Sequence, residues 1–249
     1  MDMKILVTMH KPHWTPRANI YYPIYCGRQG KQVDWCDVGD DTGENISAKN
    51  PYYSELTGIY WAWKNLSCDI IGLCHYRRYF AQNWGGIKNF KILDEENYYY
   101  ALRGYDIVLP TPETGAFEHE TVLEQYANIH NRKDIMLVRD IIQAQDAQYI
   151  PYFDATMNAH AAYIYNMFCT YKATFDAYCE WLFPILFELE RHIDYKNRES
   201  YQRRVFGFIS ERLLNVWVRK NHLRVREVNV ISIDEHKFKR WIQKMVFGS

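Results

Sequence analysis

One stretch of the chain indicates both the fold and the site: Asp69-Ile-Ile-Gly-Leu-Cys-His-Tyr-Arg-Arg-Tyr-Phe80. Its first half is a short apolar run, which is typical of a buried strand, and its second half carries an imidazole, two guanidiniums and aromatic rings. Because open α/β sheets bind ligands just beyond the carboxyl ends of their strands, we expect His75, Arg77 and Arg78 to face a site. Each arginine offers a planar fork of donors and a permanent charge, which favours a phosphate-bearing substrate. The alternative is a basic turn that pairs with surface acids.

Strand and helix patterns alternate along the rest of the chain. Apolar runs predict strands at residues 4–8, 70–74, 105–110, 161–169 and 224–233. Periodic apolar positions predict helices at 131–148, 175–193 and 201–221, and an earlier helix that begins at Asn50-Pro51 with asparagine as its N-cap. This alternation is typical of a mainly parallel sheet flanked by helices, and 249 residues suffice for one such domain. The predicted fold is therefore a single α/β domain.

Composition narrows the partners and the compartment. Lysine plus arginine equals aspartate plus glutamate at 30 each, so net charge gives no reason to expect a nucleic-acid partner. The six cysteines include no Cys-x-x-Cys pair, and we expect reduced, mostly buried thiols. The short apolar run after Lys4 is too brief for a signal peptide or a membrane span, so a cytoplasmic protein is expected.

The aromatic content stands out, with 21 tyrosines and 8 tryptophans. Amphipathic rings suit wet interfaces and also sugar sites, where a ring face contacts pyranose carbons and a hydroxyl forms hydrogen bonds. Core packing explains most of these rings equally well, because many fall at helical core spacing. Composition by itself therefore supports a carbohydrate ligand only weakly.

The predicted helix at 201–221 carries a polar stripe opposite its apolar side. Arg204, Glu211 and Asn215 share that stripe, which faces either a substrate or the solvent. Gly207 favours the first alternative, since a glycine within a helix is destabilising unless it permits close approach of a ligand or another backbone. Glu211 is therefore a candidate general base.

The segment 37–49 is predicted to be a loop with adjacent acids at Asp40 and Asp41. Its acids do not alternate as they do in a calcium loop, so a hydrogen bond to a ribose or sugar hydroxyl fits better than a metal. The histidines form no zinc motif, and the two common glycine-rich phosphate loops are absent from the sequence. A nucleotide diphosphate, if one is bound, must then be held by side chains such as those of His75, Arg77 and Arg78 and by strand-end amides after Thr8.

Six blocks of sequence, spread in order over nearly the whole chain, resemble a known family. They read Gly39-Asp-Asp-Thr-Gly-Glu-Asn-Ile-Ser47, Glu55-Leu-Thr-Gly-Ile-Tyr-Trp-Ala-Trp-Lys-Asn65, Gly72-Leu-Cys-His-Tyr-Arg-Arg-Tyr-Phe80, Asn166-Met-Phe168, Tyr178-Cys-Glu-Trp-Leu-Phe183 and Arg204-Val-Phe-Gly-Phe-Ile-Ser-Glu-Arg-Leu-Leu-Asn215. The chain resembles the DUF4422 domain of bacterial capsular and exopolysaccharide glycosyltransferases, which are GT-A-like and include galactofuranosyl-type transferases. The resemblance implies a nucleotide-binding half at about residues 1–110 and an acceptor-side half at about 111–249.

The resemblance also implies a UDP-sugar donor and a set of residues that bind it. The implied donor-binding residues are Thr8, His10, Asp40, Asp41, Lys64 and Arg78. By the same resemblance, His75-Tyr-Arg77 would stand where GT-A enzymes usually carry the Asp-x-Asp that holds a divalent metal. Because arginines can neutralise a departing diphosphate in place of a cation, His75 and Arg77 become catalytic candidates, and neither a metal nor another cofactor is expected.

On the acceptor side, the resemblance implies contacts from three residues, which are Asn166, Arg204 and Asn215. Glu211 would deprotonate the attacking hydroxyl, and Asp134 and His160 are the alternative bases.

The expected function is transfer of a hexose, such as galactose or galactofuranose, from a UDP-sugar to a growing capsular, exopolysaccharide or O-antigen glycan. The expected partners are a nucleotide sugar and a glycan or lipid-linked oligosaccharide acceptor. The alternatives are a noncatalytic carbohydrate-binding protein and a sugar-phosphate transferase. Residues 237–247, which mix large apolar side chains with basic ones, are either a peripheral membrane contact or a docked terminal helix.

Overall fold

The structure, a computed structural model, describes residues 1–83 and 90–233, and its strands form one nine-stranded sheet. The strands are β1 (Met3–Met9), β2 (Tyr21–Tyr25), β3 (Ile70–His75), β4 (Arg78–Asn83), β5 (Phe90–Ile92), β6 (Ile107–Pro110), β7 (Phe168–Tyr171), β8 (Val225–Val228) and β9 (Val230–Ser232). The α-helices are α1 (Asn50–Tyr53), α2 (Leu56–Asn65), α3 (Glu95–Leu102), α4 (Val122–Ile129), α5 (Arg132–Gln145), α6 (Ile150–Met157), α7 (Lys172–His192) and α8 (Val205–Lys220).

The main path of the sheet runs β2-β1-β3-β7-β6-β8. All of its strands except β7 point the same way, because β7 is antiparallel to both β3 and β6. The predicted α/β class is therefore confirmed, and the six strands of this path are mainly parallel with β7 as the exception. The strands β4, β5 and β9, which lie off this path, pair antiparallel. The residues Tyr76 and Arg77 join β3 to β4, and so short a connection can only produce an antiparallel pair.

Both faces of the sheet are buried. On β1, Leu6 packs into the core that contains α2, α5, α7 and α8. Ile5 and Val7 pack into the core on the opposite face of the sheet, which contains α3. On β3, Leu73 and Cys74 divide in the same way. Strands that are buried on both faces read as continuous apolar runs rather than as alternating ones. This burial explains why the runs at 4–8 and 70–74 were recognisable in the sequence.

The helix predicted to begin at Asn50-Pro51 is broken at Ser54, where φ is +52°. Asn50 is not its N-cap, because it is the first residue of α1 and Lys49 precedes it as the cap. The Asn50 side chain instead donates to the Ser54 carbonyl at 2.8 Å and to the Thr57 hydroxyl at 3.2 Å, which stabilises the break. The break places Ser54 and Glu55 at the edge of a cleft.

The strand predicted at 161–169 is wrong over most of its length, since β7 begins only at Phe168. The preceding residues form a loop in which Tyr165 and Asn166 have φ values of +78° and +54°. Their backbone is held by side chains from α8 rather than by a sheet ladder: Asn215 contacts Tyr163, and Glu211 contacts Tyr165.

Other elements differ from prediction at their ends. The predicted helix at 201–221 becomes α8 preceded by a 3₁₀ turn, and the predicted strand at 224–233 divides into β8 and β9 at Asn229. The strand β2 was not predicted, because its tyrosines and Pro23 gave no clear apolar run. All six cysteines are free thiols, and all but Cys68 are buried.

The division into halves near residue 110 does not correspond to a break in the fold. The strand β7, from the second half, pairs with β3 from the first, so both halves share one sheet. The assignment of nucleotide binding to the first half and acceptor binding to the second half stays a prediction. The segment 237–247 lies outside the described residues. Among the described helices, none has the length and hydropathy needed to cross a membrane.

Candidate active site

A cleft of about 620 Å³ opens where β1 and β3 end. These strands are parallel neighbours, and Thr8 and His75 stand opposite each other in the ladder, so both strand ends meet at one edge of the sheet. The lining residues are Thr8, Met9, His10, Cys26, Asn50, Pro51, Ser54, Glu55, His75, Tyr76, Arg77, Arg78, Tyr165, Arg204 and Glu211. The prediction that the end of β3 faces a site with the residues after β1 agrees with this placement.

His75 is fastened on both sides of its ring. Its Nε2 lies 2.5 Å from the Tyr165 carbonyl oxygen and therefore donates to it, while its Nδ1 lies 3.2 Å from the Thr8 hydroxyl. Since both nitrogens already have protein partners, this side chain connects β1 to the 163–166 loop. These contacts position the ring at the cleft, and the catalytic role of His75 stays a prediction.

Tyr165 is the point at which the cleft's charged groups meet. Its N–H donates to Glu211 Oε1 at 3.2 Å, its carbonyl accepts from His75, and its ring lies 4.4 Å from the Arg78 guanidinium. A positive φ is costly for a bulky residue, and such strain persists only where surrounding contacts impose it. Sequence reasoning missed this residue, because the apolar spacing of 161–169 matches that of a strand.

Glu211 projects into the cleft from α8. Its Oε1 accepts from Tyr165 and its Oε2 accepts from Arg212 Nη1 at 2.9 Å, while 22% of the side-chain surface stays exposed. Burial raises the pKa of this carboxyl, and the negative charge of Glu55 adds to the effect, whereas the Arg212 guanidinium opposes it. Each carboxylate oxygen has a second lone pair, so Glu211 can still accept a proton from a ligand.

Glu55 is a second carboxylate of the cleft, and sequence reasoning gave it no role. Its Oε1 accepts a 2.7 Å hydrogen bond from Asn166, which also donates to Ser210 at 2.9 Å. Asn166, predicted to contact the acceptor, is 2% exposed and does not line the cleft. Its amide instead ties the loop to α8 and orients Glu55.

Part of the cleft wall, around His10, is cationic. Burial lowers the pKa of His10, and the nearby charges of Lys11, Arg77 and Arg204 lower it further, so cations from three segments converge on this imidazole. Arg77 is exposed on the β3–β4 turn and lies over the Tyr76 ring at 5.0 Å. A cationic wall that shares its cleft with two carboxylates suits an anionic ligand that reacts beside a base.

Arg204 enters the cleft because α8 packs on the broken helix. Its Nε donates to the Ser54 hydroxyl at 2.9 Å. A Cβ on Gly207 would lie 3.6 Å from Ser54 Cβ, which is an ordinary van der Waals contact. The packing of α8 against Ser54 therefore does not require a glycine at position 207.

Three predicted donor residues lie outside the cleft lining. Asp40 is fully buried and accepts hydrogen bonds from the N–H groups of Gly27 and Arg28 and from the Ser47 hydroxyl. Asp41 pairs with Arg28 at 2.7 Å. Lys64 lies 3.6 Å from the centroid of the Trp63 ring and 3.5 Å from Glu44. In the structure, Asp40 satisfies the donors of a turn, Asp41 forms an ion pair, and Lys64 contacts an aromatic ring.

The remaining predicted site residues also have internal partners. Asn215 donates to the Tyr163 carbonyl and accepts from its N–H, both at 2.8 Å, and thereby fixes the loop. Asp134, an alternative base, is held by both terminal nitrogens of Arg198. His160, the other alternative, bonds the Phe117 carbonyl at 3.1 Å. None of the three lines the cleft.

Comparison with known proteins shows the family. A model of the DUF4422 family, described as a domain of unknown function, matches residues 4–222. The chain belongs to the DUF4422 family. That match spans every residue of the cleft and confirms the resemblance drawn from the six sequence blocks. No match was found among curated proteins.

One solved structure carries the same fold at 31% sequence identity and a TM-score of 0.84. It is the apo structure of WbbM, a bifunctional glycosyltransferase. The alignment covers 94% of this DUF4422 chain and 46% of WbbM, so the chain spans about half the length of that protein.

Within the described parts of this DUF4422 chain, residues 1–83 and 90–233, no group of three or more His, Cys, Asp or Glu side chains is arranged to hold a metal ion. The two carboxylates of the cleft lie beside arginines rather than beside further acidic ligands.

Asp40→Ala is expected to lower the free energy of unfolding by about 3 kcal/mol, because three donors, two of them in buried hydrogen bonds, lose their shared acceptor. Urea unfolding measures the change. Asp41→Ala is the control and should cost less than about 1 kcal/mol, since its ion pair with Arg28 is partly exposed. If Asp40→Ala left stability unchanged and weakened nucleotide binding, Asp40 would be a donor-binding residue instead.

Proposed function

We propose that this DUF4422 chain is a glycosyltransferase that moves a hexose from a UDP-sugar to a growing glycan. The observation that carries the proposal is the convergence of Arg78 and Glu211 on Tyr165 in one cleft at the strand ends. A permanent cation and a carboxylate of raised pKa are the two groups that transfer from a nucleotide sugar needs side by side. The likeness to half of WbbM supports the same class of reaction.

In the proposed reaction, an acceptor hydroxyl attacks the anomeric carbon of the donor and the bond from that carbon to the UDP oxygen breaks. Glu211 takes the proton of the attacking hydroxyl. Arg77 and Arg78 neutralise the charge that develops on the departing diphosphate, and Arg204 lines the same cleft. We further propose that these arginines act without a metal, and that the sugar is galactose or galactofuranose added to a capsular, exopolysaccharide or O-antigen chain.

A sugar-phosphate transferase is the competing function, because the same arginines would stabilise a phosphoryl group in transfer. The bond broken differs: phosphotransfer splits the diphosphate and releases UMP, whereas sugar transfer releases UDP. A noncatalytic carbohydrate-binding protein is less well supported, since a neutral sugar requires neither the cationic wall nor a carboxylate of raised pKa.

Product analysis tests the function. Purified protein is incubated with a panel of UDP-hexoses and glycan acceptors, and nucleotide products are separated by chromatography. We expect UDP as the product, at rates that EDTA leaves unchanged and added manganese does not raise. UMP would establish phosphotransfer, and turnover abolished by EDTA and restored by manganese would remove metal independence while leaving sugar transfer intact.

A further inference from the structure

An aromatic surface adjoins the cleft at the N-terminal end of α8. The rings of Tyr201, Phe208 and His130 contact one another there: His130 stacks on Phe208 with ring centroids 4.1 Å apart, and Tyr201 is tilted against Phe208 at 5.0 Å. We call these three residues the aromatic platform. Tyr201 is 53% exposed, and the other two rings are half-buried, so the platform presents ring surface to the solvent.

The platform is continuous with the cleft at two points. Arg204, which lines the cleft, lies 5.6 Å from the centroid of the Phe208 ring. From the other side, Arg212 binds Glu211 and lies 5.4 Å from the ring of Tyr126, which in turn contacts His130 at 4.9 Å. The first connection lies at the surface, because Arg204 is exposed, whereas the second runs through the buried residues Arg212 and Tyr126. The platform and the cleft are therefore neighbours along α8.

The rings of the platform are held in place before any ligand arrives. His130 Nδ1 lies 3.0 Å from Gln202 Oε1, and the same glutamine donates to the Ile129 carbonyl at 2.8 Å. Burial lowers the pKa of His130, so its ring is neutral at neutral pH and stacks as an apolar surface. Ordered rings lose little conformational freedom when a ligand binds to them.

We propose that the aromatic platform is an acceptor subsite, on which a pyranose ring of the acceptor glycan lies while its neighbouring sugar presents a hydroxyl to Glu211. This inference rests on the proposed transferase function. Pyranose rings carry an apolar face of C–H groups that matches an aromatic face, and their hydroxyls remain free for polar groups such as the Arg204 guanidinium. Phe208 precedes Glu211 by three residues, a rise of about 4.5 Å along the helix, which suits the next sugar of a chain. The expected acceptor is therefore an oligosaccharide rather than a monosaccharide.

Saturation-transfer NMR tests the platform with lactose, cellobiose and maltose as probes. Wild-type protein is compared with Tyr201→Ala, Tyr201→Phe and the control Tyr100→Ala, which removes an even more exposed tyrosine from a different surface. We expect transfer to the C–H protons of at least one disaccharide, with affinity about tenfold lower in Tyr201→Ala, which corresponds to about 1.4 kcal/mol. Tyr201→Phe and Tyr100→Ala should retain the signal, and thermal unfolding verifies that every variant is folded.

Equal signals for wild type and Tyr201→Ala would overturn the subsite, and so would the absence of transfer from wild-type protein to all three disaccharides. UDP binding, measured by calorimetry on the same samples, separates this inference from the proposed function. If every variant binds UDP equally and only Tyr201→Ala loses disaccharide affinity, the acceptor subsite and the proposed transferase function are both supported. A platform that binds disaccharides on a protein without affinity for UDP would keep the sugar subsite and refute the transferase.

Discussion

Glu211→Gln is expected to lower turnover by about 10²–10⁴-fold while UDP binding stays nearly unchanged. The substitution keeps the shape of the side chain and an oxygen that accepts from Tyr165, but it removes the group that takes the proton. Initial rates with saturating donor, together with calorimetric UDP affinity, measure the two effects separately. Equal turnover in the variant would exclude Glu211 as the base.

The pH profile gives this prediction a signature. The base must be ionised, and the folded protein raises the pKa of Glu211, so activity should appear as pH rises through a value above that of an ordinary glutamate. Below that pH the carboxyl is protonated and the rate falls. In Glu211→Gln this acid limb should disappear from whatever activity remains.

Glu55→Gln is the matched control, since it alters the other carboxylate of the cleft and keeps an oxygen for Asn166. The charge of Glu55 helps to raise the pKa of Glu211, so its removal should move the acid limb to lower pH. Glu55→Gln should lower the maximal rate much less than Glu211→Gln does. If the large loss of turnover occurred in Glu55→Gln instead, Glu55 would be the base.

Arg78→Ala is expected to weaken UDP binding by about 10- to 100-fold, because the loss of one charge-assisted partner costs about 1.5–3 kcal/mol. Arg78 is half-buried against Tyr165, which limits solvent screening and holds its guanidinium in place. Calorimetry with UDP measures the change. The UDP affinity of Arg78→Lys should lie between those of Arg78→Ala and wild type, since lysine keeps the charge and lacks the planar fork of donors.

Two further variants define the range of this effect. Arg77→Ala should weaken UDP binding less than Arg78→Ala, because Arg77 is exposed on its turn and its charge is better screened. Arg224→Ala, which breaks an exposed pair with Asp106, should leave UDP binding unchanged. An Arg78→Ala protein that binds UDP as wild type does would place the diphosphate elsewhere and remove the basis of the proposed reaction.

The sequence predicted the position of the site better than the tasks of its residues. Thr8, His75 and Arg78 were placed together because buried strands are recognisable from their apolar runs, and ligands gather where parallel strands end. Asp40 and Asn166 were expected to contact ligands, yet their oxygens and nitrogens are used within the protein. A polar side chain has the same sequence pattern whether its partner is a substrate or a backbone amide.

The loop at 161–167 shows why some of the site was beyond sequence reasoning. Its apolar spacing matches a strand, and nothing local shows that Tyr165 takes a left-handed backbone conformation. That conformation is imposed by Glu211 and His75, which lie 46 and 90 positions away along the chain. Glu55 was missed for the same reason, because a distant asparagine gives it its orientation.

The sequence by itself determined the α/β class, the two central strands, the family and the place where β1 and β3 end, since all of these follow from local periodicity and from ordered blocks of residues. The tertiary structure alone decided the break at Ser54, the left-handed turn at Tyr165 and Asn166, and the pairing of each charged group. The physical reason is that apolar patterns act over a few neighbouring residues, whereas a polar group is satisfied by whichever partner the fold brings within hydrogen-bonding distance.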